Sequence, residues 1–338
     1  MTDVDQKTRR FAIPLAFFCV YFFWGSTFVA IRYGVQFLSP AFVSGFRYCT
    51  AGLLLMGILA LRGVPWRISG AELKRALLLA LLMLTMNNVM VSWGEQYISA
   101  GLAALLAAGI PLLIALAETA IPGGTRLNRM GWLGTALGFV GLSMLLLPVL
   151  QHGLSARAGA QAGAANDRSV LIGTGILLVA NLGWVAGSVY SGRRPTTLPP
   201  LLASAWQMLL GGGINILLGT ALGGWHSAHW TRGALGAVLW LAVFGSLVGY
   251  TAYTYLLHTV PVAKVATYAY VNPIVAVGLS AVFLHEGLHG SQWIAMGVIL
   301  LAVALVTASR VKRTDAGQVR REAGSSAEVP PALEPVDG

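Results

Sequence analysis

Residues 38–47 read LSPAFVSGFR and residues 198–207 read LPPLLASAWQ. Laid over one another at an offset of 160, they pair Pro40 with Pro200, Ser44 with Ser204, Phe46 with Trp206 and Arg47 with Gln207. The same offset lays FWGSTFVAIR (23–32) on GWVAGSVYSG (183–192), so that Trp24 meets Trp184. An offset of 162 pairs Pro111 with Pro273, and one of 161 pairs Trp132 with Trp293. Each match alone is weak in so apolar a chain, but four in order at nearly one offset indicate two copies of one unit.

What that unit is follows from composition. Of 338 residues, 56% are apolar and only 10% charged, against about 25% charged in an ordinary soluble domain. Long stretches such as Leu133 to Leu150 carry no charge at all. A bilayer's hydrocarbon core takes about 20 apolar residues of helix, and that ruler gives ten spans. They cover 11–32, 40–61, 74–94, 100–121, 130–149, 170–191, 199–221, 234–256, 262–284 and 291–309. The expected fold is therefore an all-α membrane protein of ten transmembrane helices. Five spans per unit is an odd number, so the two units enter the membrane in opposite orientations. Such inverted repeats place a binding site near the midplane, between the halves.

Lysine and arginine gather in the cytoplasmic loops of membrane proteins. With an N-terminus inside, 17 of the 22 Lys and Arg fall on the inner side and four, Arg32, Arg157, Arg168 and Arg232, on the outer side; Arg47 lies within a span. This asymmetry predicts a multi-pass protein of the inner (plasma) membrane with both termini cytoplasmic. The organisation it implies is a cytoplasmic terminus (1–10), a first repeat (11–149), an external Ala/Gly-rich linker (150–168), a second repeat (169–309) and a disordered tail (310–338).

The net charge of +10 does not indicate nucleic acid, because the basic residues are dispersed among short loops rather than gathered on one face. The apolar run from Phe11 resembles a signal peptide but continues to Ile31 without a clear cleavage site, so it reads as a retained span. Cys19 and Cys49 lie within apolar blocks and have no partner at metal-ligand spacing, so they read as reduced packing residues. No metal or cofactor is expected. His285, Glu286 and His289 spell the zinc-binding H-E-x-x-H string, but Gly287 and Gly290 and the need to turn between spans 9 and 10 argue against the helix that the string requires. A membrane-embedded enzyme finds no other support, since the chain has no G-x-S-x-G motif, phosphate-binding loop or paired intramembrane aspartates.

An ionisable side chain in mid-span costs about 2.5–3.5 kcal/mol and is kept where it faces protein or water. Arg47 is the strongest such candidate, either for a substrate carboxylate or for Glu118, with a structural partner to backbone carbonyls as the alternative. Glu118 in span 4 is a proton-coupling candidate, or else an interfacial acid paired with Arg126 or Arg129. Pro111 and Pro273 each remove a backbone hydrogen bond and read as hinges. Asn87, Asn88, Asn272 and Gln207 offer amides, and Thr27 a hydroxyl, for polar groups of a substrate. Trp24, Trp184, Trp206, Tyr250, Tyr253, Tyr268 and Tyr270 lie in mid-span, where they line a cavity or pack the bundle. Lys264 opens span 9 and reads mainly as an orientation-setting charge. The glycines of span 5, with a GxxxG at Gly134 and Gly138, allow close packing within the bundle or in a homodimer.

WGSTFVAIRYGV in span 1, PAFVSGFRYCTAGLLL in span 2, GLAALLAAGIPLL in span 4 and VATYAYVNPIVAVGLSAVFLHEGL in span 9 resemble, in this order, the EamA-type exporters of the drug/metabolite transporter superfamily. The resemblance covers residues 11–309. It implies two inverted five-helix repeats around a central path lined by helices 1–4 and 6–9, and it implies export of small organic metabolites, amino acids or drug-like amphipathic compounds among them. Glu286 matches a Glu that the family often carries after span 9, whereas Glu118 departs from its pattern. The expected function is alternating-access export coupled to protons, with a small-molecule substrate and the bilayer as partners; a channel or lipid-flipping protein is the alternative.

Overall fold

The computed structural model describes residues 3–124, 126–155, 164–260, 262–265, 267–288 and 290–327. All regular structure among them is helical. Among the described residues nine helices are long and apolar enough to cross a membrane, and we number them with the shorter apolar helix in chain order. They are α1 (Phe11–Gly34), α2 (Pro40–Leu61), α3 (Gly70–Gly94), α4 (Ala100–Ala120), α5 (Arg129–Leu147), α6 (Arg168–Arg193), α7 (Pro200–Ala221), α8 (Arg232–Leu257), the shorter α9 (Tyr268–Leu284) and α10 (Ser291–Ser309). They coincide with the ten predicted spans to within a few residues, except that α9 starts late. Residues 262–265 form a separate turn of helix ahead of it.

Local chemistry fixes where several helices begin. Ser39, Ser69, Ser99 and Thr231 precede α2, α3, α4 and α8, and each side-chain hydroxyl accepts a hydrogen bond from the amide three residues on, at 3.1 to 3.3 Å. A cap of this kind contributes about 1 kcal/mol and satisfies an amide that has no partner in its own helix.

Packing between the halves follows an exchange pattern. α2 lies along α7 and α5 along α10, while α1 meets α8 and α9 just as α6 meets α3 and α4. Swapping the halves maps each of these contacts onto another, as two copies of one unit related by a two-fold would require. Glycine makes the closest crossing: a Cβ on Gly52 would lie 3.0 Å from the Leu209 amide nitrogen, and one on Gly212 would collide with the Cys49 backbone. Gly52 and Gly212 are themselves related by the offset of 160. The span 5 glycines face inward, with a Cβ on Gly134 falling 3.0 Å from the Ala302 carbonyl of α10. Their close packing thus serves the bundle itself.

α3 and α8 each contain an eight-residue π-helical stretch, Ala80–Asn87 and Leu241–Val248, whose ends differ by 161 at both limits. Such segments are rare, widen the helix, leave carbonyls poorly paired and recur at functional sites. Shorter ones occur at Cys19–Phe23 in α1 and Ser280–Leu284 in α9.

The final helix continues from α10 to Ala327, where the sequence predicts a disordered tail from residue 310. Its Ala, Arg, Lys and Glu residues are good helix formers, and a helix already nucleated by the preceding span propagates without a new nucleation cost. Residues 328–338, and residues 156–163 of the predicted linker, lie outside the described residues.

Candidate functional site

Arg47 enters the bundle two turns into α2 and is 7% exposed. Its Nε donates to Ser246 Oγ of α8 at 2.9 Å, and its guanidinium carbon stands 4.8 Å from the centroid of the Tyr48 ring. Gly245 makes room for it: a Cβ there would fall 3.3 Å from Arg47 Nη2 and 2.8 Å from Thr27 Cγ2 of α1. Among the described residues no acid lies within ion-pair distance of Arg47. It is a buried cation held by a hydroxyl and an aromatic face, and its remaining donors are free for an anionic or carbonyl-bearing group.

The π-helical stretch of α8 supplies the next contact, for the Gly245 carbonyl accepts Trp24 Nε1 at 3.0 Å. Thr27 sits one turn beyond Trp24 and donates back to its carbonyl at 2.6 Å. The Trp24 ring lies 5.1 Å from both Tyr253 of α8 and Tyr268 of α9. Tyr253 continues the aromatic wall to Tyr268 at 5.9 Å and to Tyr250 at 6.4 Å. Tyr21 meets Thr267 hydroxyl to hydroxyl at the edge of the wall. The Asn272 amide, oriented to donate, reaches the carbonyls of Tyr21 at 3.1 Å and Tyr268 at 3.3 Å, and Tyr270 packs against the main apolar core. Trp24, Thr27, Arg47, Tyr250, Tyr253 and Asn272 therefore come together where α1, α2, α8 and α9 meet.

The other predicted binding residues lie elsewhere. Asn87 donates to the Ala180 carbonyl of α6 at 2.9 Å, and Asn88 to Met83 of its own helix at 2.7 Å, so both amides are used in satisfying backbone. Trp184 is the repeat partner of Trp24, and beside it α6 packs closely on α3. Cβ atoms on Gly183 and Gly187 would fall 2.6 Å from the Leu82 carbonyl and against Met83 Cγ of the α3 π-helical stretch. Two glycines thus bring α6 tight onto α3. Trp206 donates to the Trp66 carbonyl between α2 and α3 at 3.2 Å, which ties the loop at the end opposite Arg47. Gln207 follows it, half-buried.

The two prolines are not structural equivalents. α4 is interrupted by a turn at Ala108–Gly109, and Pro111 occupies the first turn of the helix that resumes at Ile110, where a missing amide hydrogen costs nothing. Pro273 lies inside an unbroken helix, and the break in that part of the chain comes earlier, before Tyr268. The interruption in α4 is supported by Asn181, whose amide donates to the Leu106 carbonyl at 3.0 Å. Asn215 of α7 likewise donates to Leu84 in the α3 π-helical stretch at 2.9 Å. Sequence reading missed both, because nothing local distinguishes an amide that repairs a distant backbone.

Charged residues mark the two ends of the bundle. At one end Arg32 Nε donates to Glu286 Oε1 at 2.9 Å and Arg32 Nη1 to the Glu95 carbonyl at 2.5 Å. Glu286 Oε2 accepts from the Ala100 amide and the Ser280 hydroxyl, each at 3.1 Å. His285 turns the chain in the left-handed conformation, φ 56°, to aim Glu286 inward. The Glu of the zinc-like string is thus a helix cap and ion-pair partner, and His289 lies outside the described residues. Glu95 itself is fully buried, with neither carboxyl oxygen hydrogen-bonded. At the other end Glu118 faces Arg193 Nη2 at 3.5 Å. There too, Glu72 accepts from Thr196 Oγ1 and from the amide and hydroxyl of Thr197, at 2.8 to 2.9 Å. Lys264 is exposed.

The EamA-like transporter family model matches this chain twice, over residues 11–147 and 171–308, one match for each half. The chain belongs to that family. Relatives of this EamA-like chain include the inner membrane transporter YedA of Escherichia coli (strain K12), 35% identical over 88% of this chain and 92% of YedA. Another is the transporter YvbV of Bacillus subtilis (strain 168), 26% identical over 94% of this chain and 98% of YvbV. A solved crystal structure shares the fold at a TM-score of 0.59, with 16% identity over 87% of this chain and 97% of that one. This EamA-like protein is thus a multi-pass membrane transporter.

Proposed function

We propose that this EamA-like protein is a secondary transporter of the inner membrane that exports small organic solutes, amino acids or amphipathic compounds, by alternating access. The observation that carries the reading is Arg47, a buried cation without an acid partner among the described residues, set beside the Trp24, Tyr253 and Tyr268 wall where both halves contribute side chains. A charged side chain is retained at such depth for what it binds, and an aromatic wall with few convergent polar groups suits a small, partly apolar solute. Glu118 is already engaged by Arg193, so we assign it to closing its end of the bundle. The excess of Lys and Arg on one side supports cytoplasmic termini, and the exchange pattern of helix contacts supports an inverted repeat. No residue group supports enzymatic chemistry in preference to binding and release.

The test compares the media of cells producing the native chain, Arg47→Ala at matched membrane levels, and an empty control, by untargeted mass spectrometry. Accumulation of a compound outside only with the native chain establishes export and the part of Arg47. Identical media across all three overturn the export reading. Flux far above carrier turnover without counterflow would show a channel instead.

A further inference from the structure

Glu95 is the acid that the binding-site reading leaves unused. It closes α3, its side chain is 0% exposed, and both of its carboxyl oxygens are without hydrogen-bond partners. A carboxylate so stripped of water and donors is strongly disfavoured, whereas the neutral acid is tolerated. The groups acting on it come from three other segments: Arg32 at the end of α1, Glu286 after α9, and Arg47 of α2. α6 meets Gly94 through Gly173 and Leu177, both uncharged.

One guanidinium serves two acids at this end. Arg32 donates its Nε to Glu286 and its Nη1 to the backbone carbonyl of Glu95, so it lies beside an acid that it does not yet pair with. Ionising Glu95 would put a second negative charge within reach of the same fork. Arg32 would then turn from Glu286, and Glu286 holds the Ala100 amide at the start of α4 and Ser280 of α9.

We propose that Glu95 is the proton-binding site of the transport cycle, and that its protonation keeps Arg32 on Glu286 and so holds this end of the bundle shut. The chemistry is a simple transfer, hydronium giving its proton to the Glu95 carboxylate to leave water and a neutral acid. Burial pushes this carboxyl well above the ordinary range, with Arg32 opposing and Glu286 adding to the effect. The proton and the closed end favour each other because the closed end leaves the Glu95 carboxylate buried without a partner, a cost that protonation removes. This inference rests on the transporter reading, and it deepens that reading by naming the coupling ion's residue.

The test uses the full-length chain in lipid nanodiscs, with the proton as the probe. Infrared difference spectra across a pH titration are expected to show a protonated-carboxyl stretching band at neutral pH in the native chain and in Glu118→Gln. The band should vanish in Glu95→Gln and shift in Glu95→Asp. No such band in the native chain, or one unchanged in Glu95→Gln and Glu95→Asp, overturns the proposal. Labelling of a cysteine at Leu38, 2% exposed on the Arg32 side, reads the closure in a background lacking Cys19 and Cys49. Its rate, relative to the same cysteine with Glu95→Gln, should rise with pH by up to about tenfold per unit, the limit for one linked proton. Equal pH dependence in both would overturn the coupling. A Glu95 band with no exported compound would instead sink the export reading and leave the proton site standing.

Discussion

Arg32 and Glu286 meet at 2.9 Å across 254 residues of sequence and tie the ends of α1 and α9 together. Their counterpart is Arg193 with Glu118 at 3.5 Å, which ties α6 to α4 at the opposite end. Exchanging the halves turns α1 into α6 and α9 into α4, so each end of the bundle is tied by one arginine–glutamate pair, with equivalent arginines but with Glu286 after α9 and Glu118 inside α4. A carrier that opens to one side at a time needs two such closures, and they need not be equally firm.

The Arg32 closure is the stronger. Its side chains are 24% and 21% exposed and Glu286 also caps α4, whereas those of Arg193 and Glu118 are 34% and 19% exposed. Glu286→Ala is expected to lower stability by about 1–3 kcal/mol, the range for removing a charged hydrogen-bond partner. Arg193→Ala should cost less than about 1 kcal/mol. Thermal melting of both variants in one detergent compares them, and equal shifts would contradict the ordering.

Stability should fall as pH rises because of Glu95. Its carboxyl titrates above the ordinary range in the folded chain, so the folded state holds a proton that the unfolded state has lost, and stability declines from the unfolded carboxyl's pKa upward. Glu95→Gln removes this slope and should melt higher than the native chain at neutral pH. A native melting temperature that climbs over the same range would refute the sign.

Gly212 and its neighbour Gly213 should respond oppositely to alanine. A Cβ at 212 meets the Cys49 backbone, while one at 213 meets nothing within 4 Å. Gly213→Ala is expected to stabilise by about 0.5–1 kcal/mol through helix propensity, and Gly212→Ala to reduce the yield of folded protein. Size-exclusion profiles and melting curves of the pair decide it.

Trp24 and Trp184, though repeat partners, should differ in function. Trp24→Ala opens the wall against Tyr253 and Tyr268 and frees the Gly245 carbonyl, so export is expected to fall at least severalfold. Trp184→Ala should leave it near the native level. The measured quantity is the extracellular accumulation of whichever compound the native chain exports, and a reversal of the two effects would count against the site.

Much of this architecture was legible in the chain. Apolar run length located the helices, because a bilayer imposes one ruler on every span. The offset of about 160 revealed two units, because the equivalent positions solve the same packing problem twice. Arg47 stood out because a mid-span charge has no cheap explanation. Pro111 and Pro273 looked equivalent by spacing, but one opens a helix and the other lies within one, a difference set by where neighbouring side chains such as Asn181 repair the backbone.

What the sequence determined by itself is thus the fold class, the repeat and the family, all properties of pattern and hydrophobicity read along one dimension. What only the tertiary structure decided is which of two equivalent half-sites gathers the aromatic rings. Gly183 and Gly187 press α6 onto α3, while on the other side Trp24 meets Tyr253 and Tyr268 and Gly245 makes room for Arg47. The same holds for Glu95, which no sequence pattern singles out between α3 and α4. Its burial beside Arg32 and Glu286 depends on three segments far apart in sequence meeting at one end, and no local pattern records that meeting.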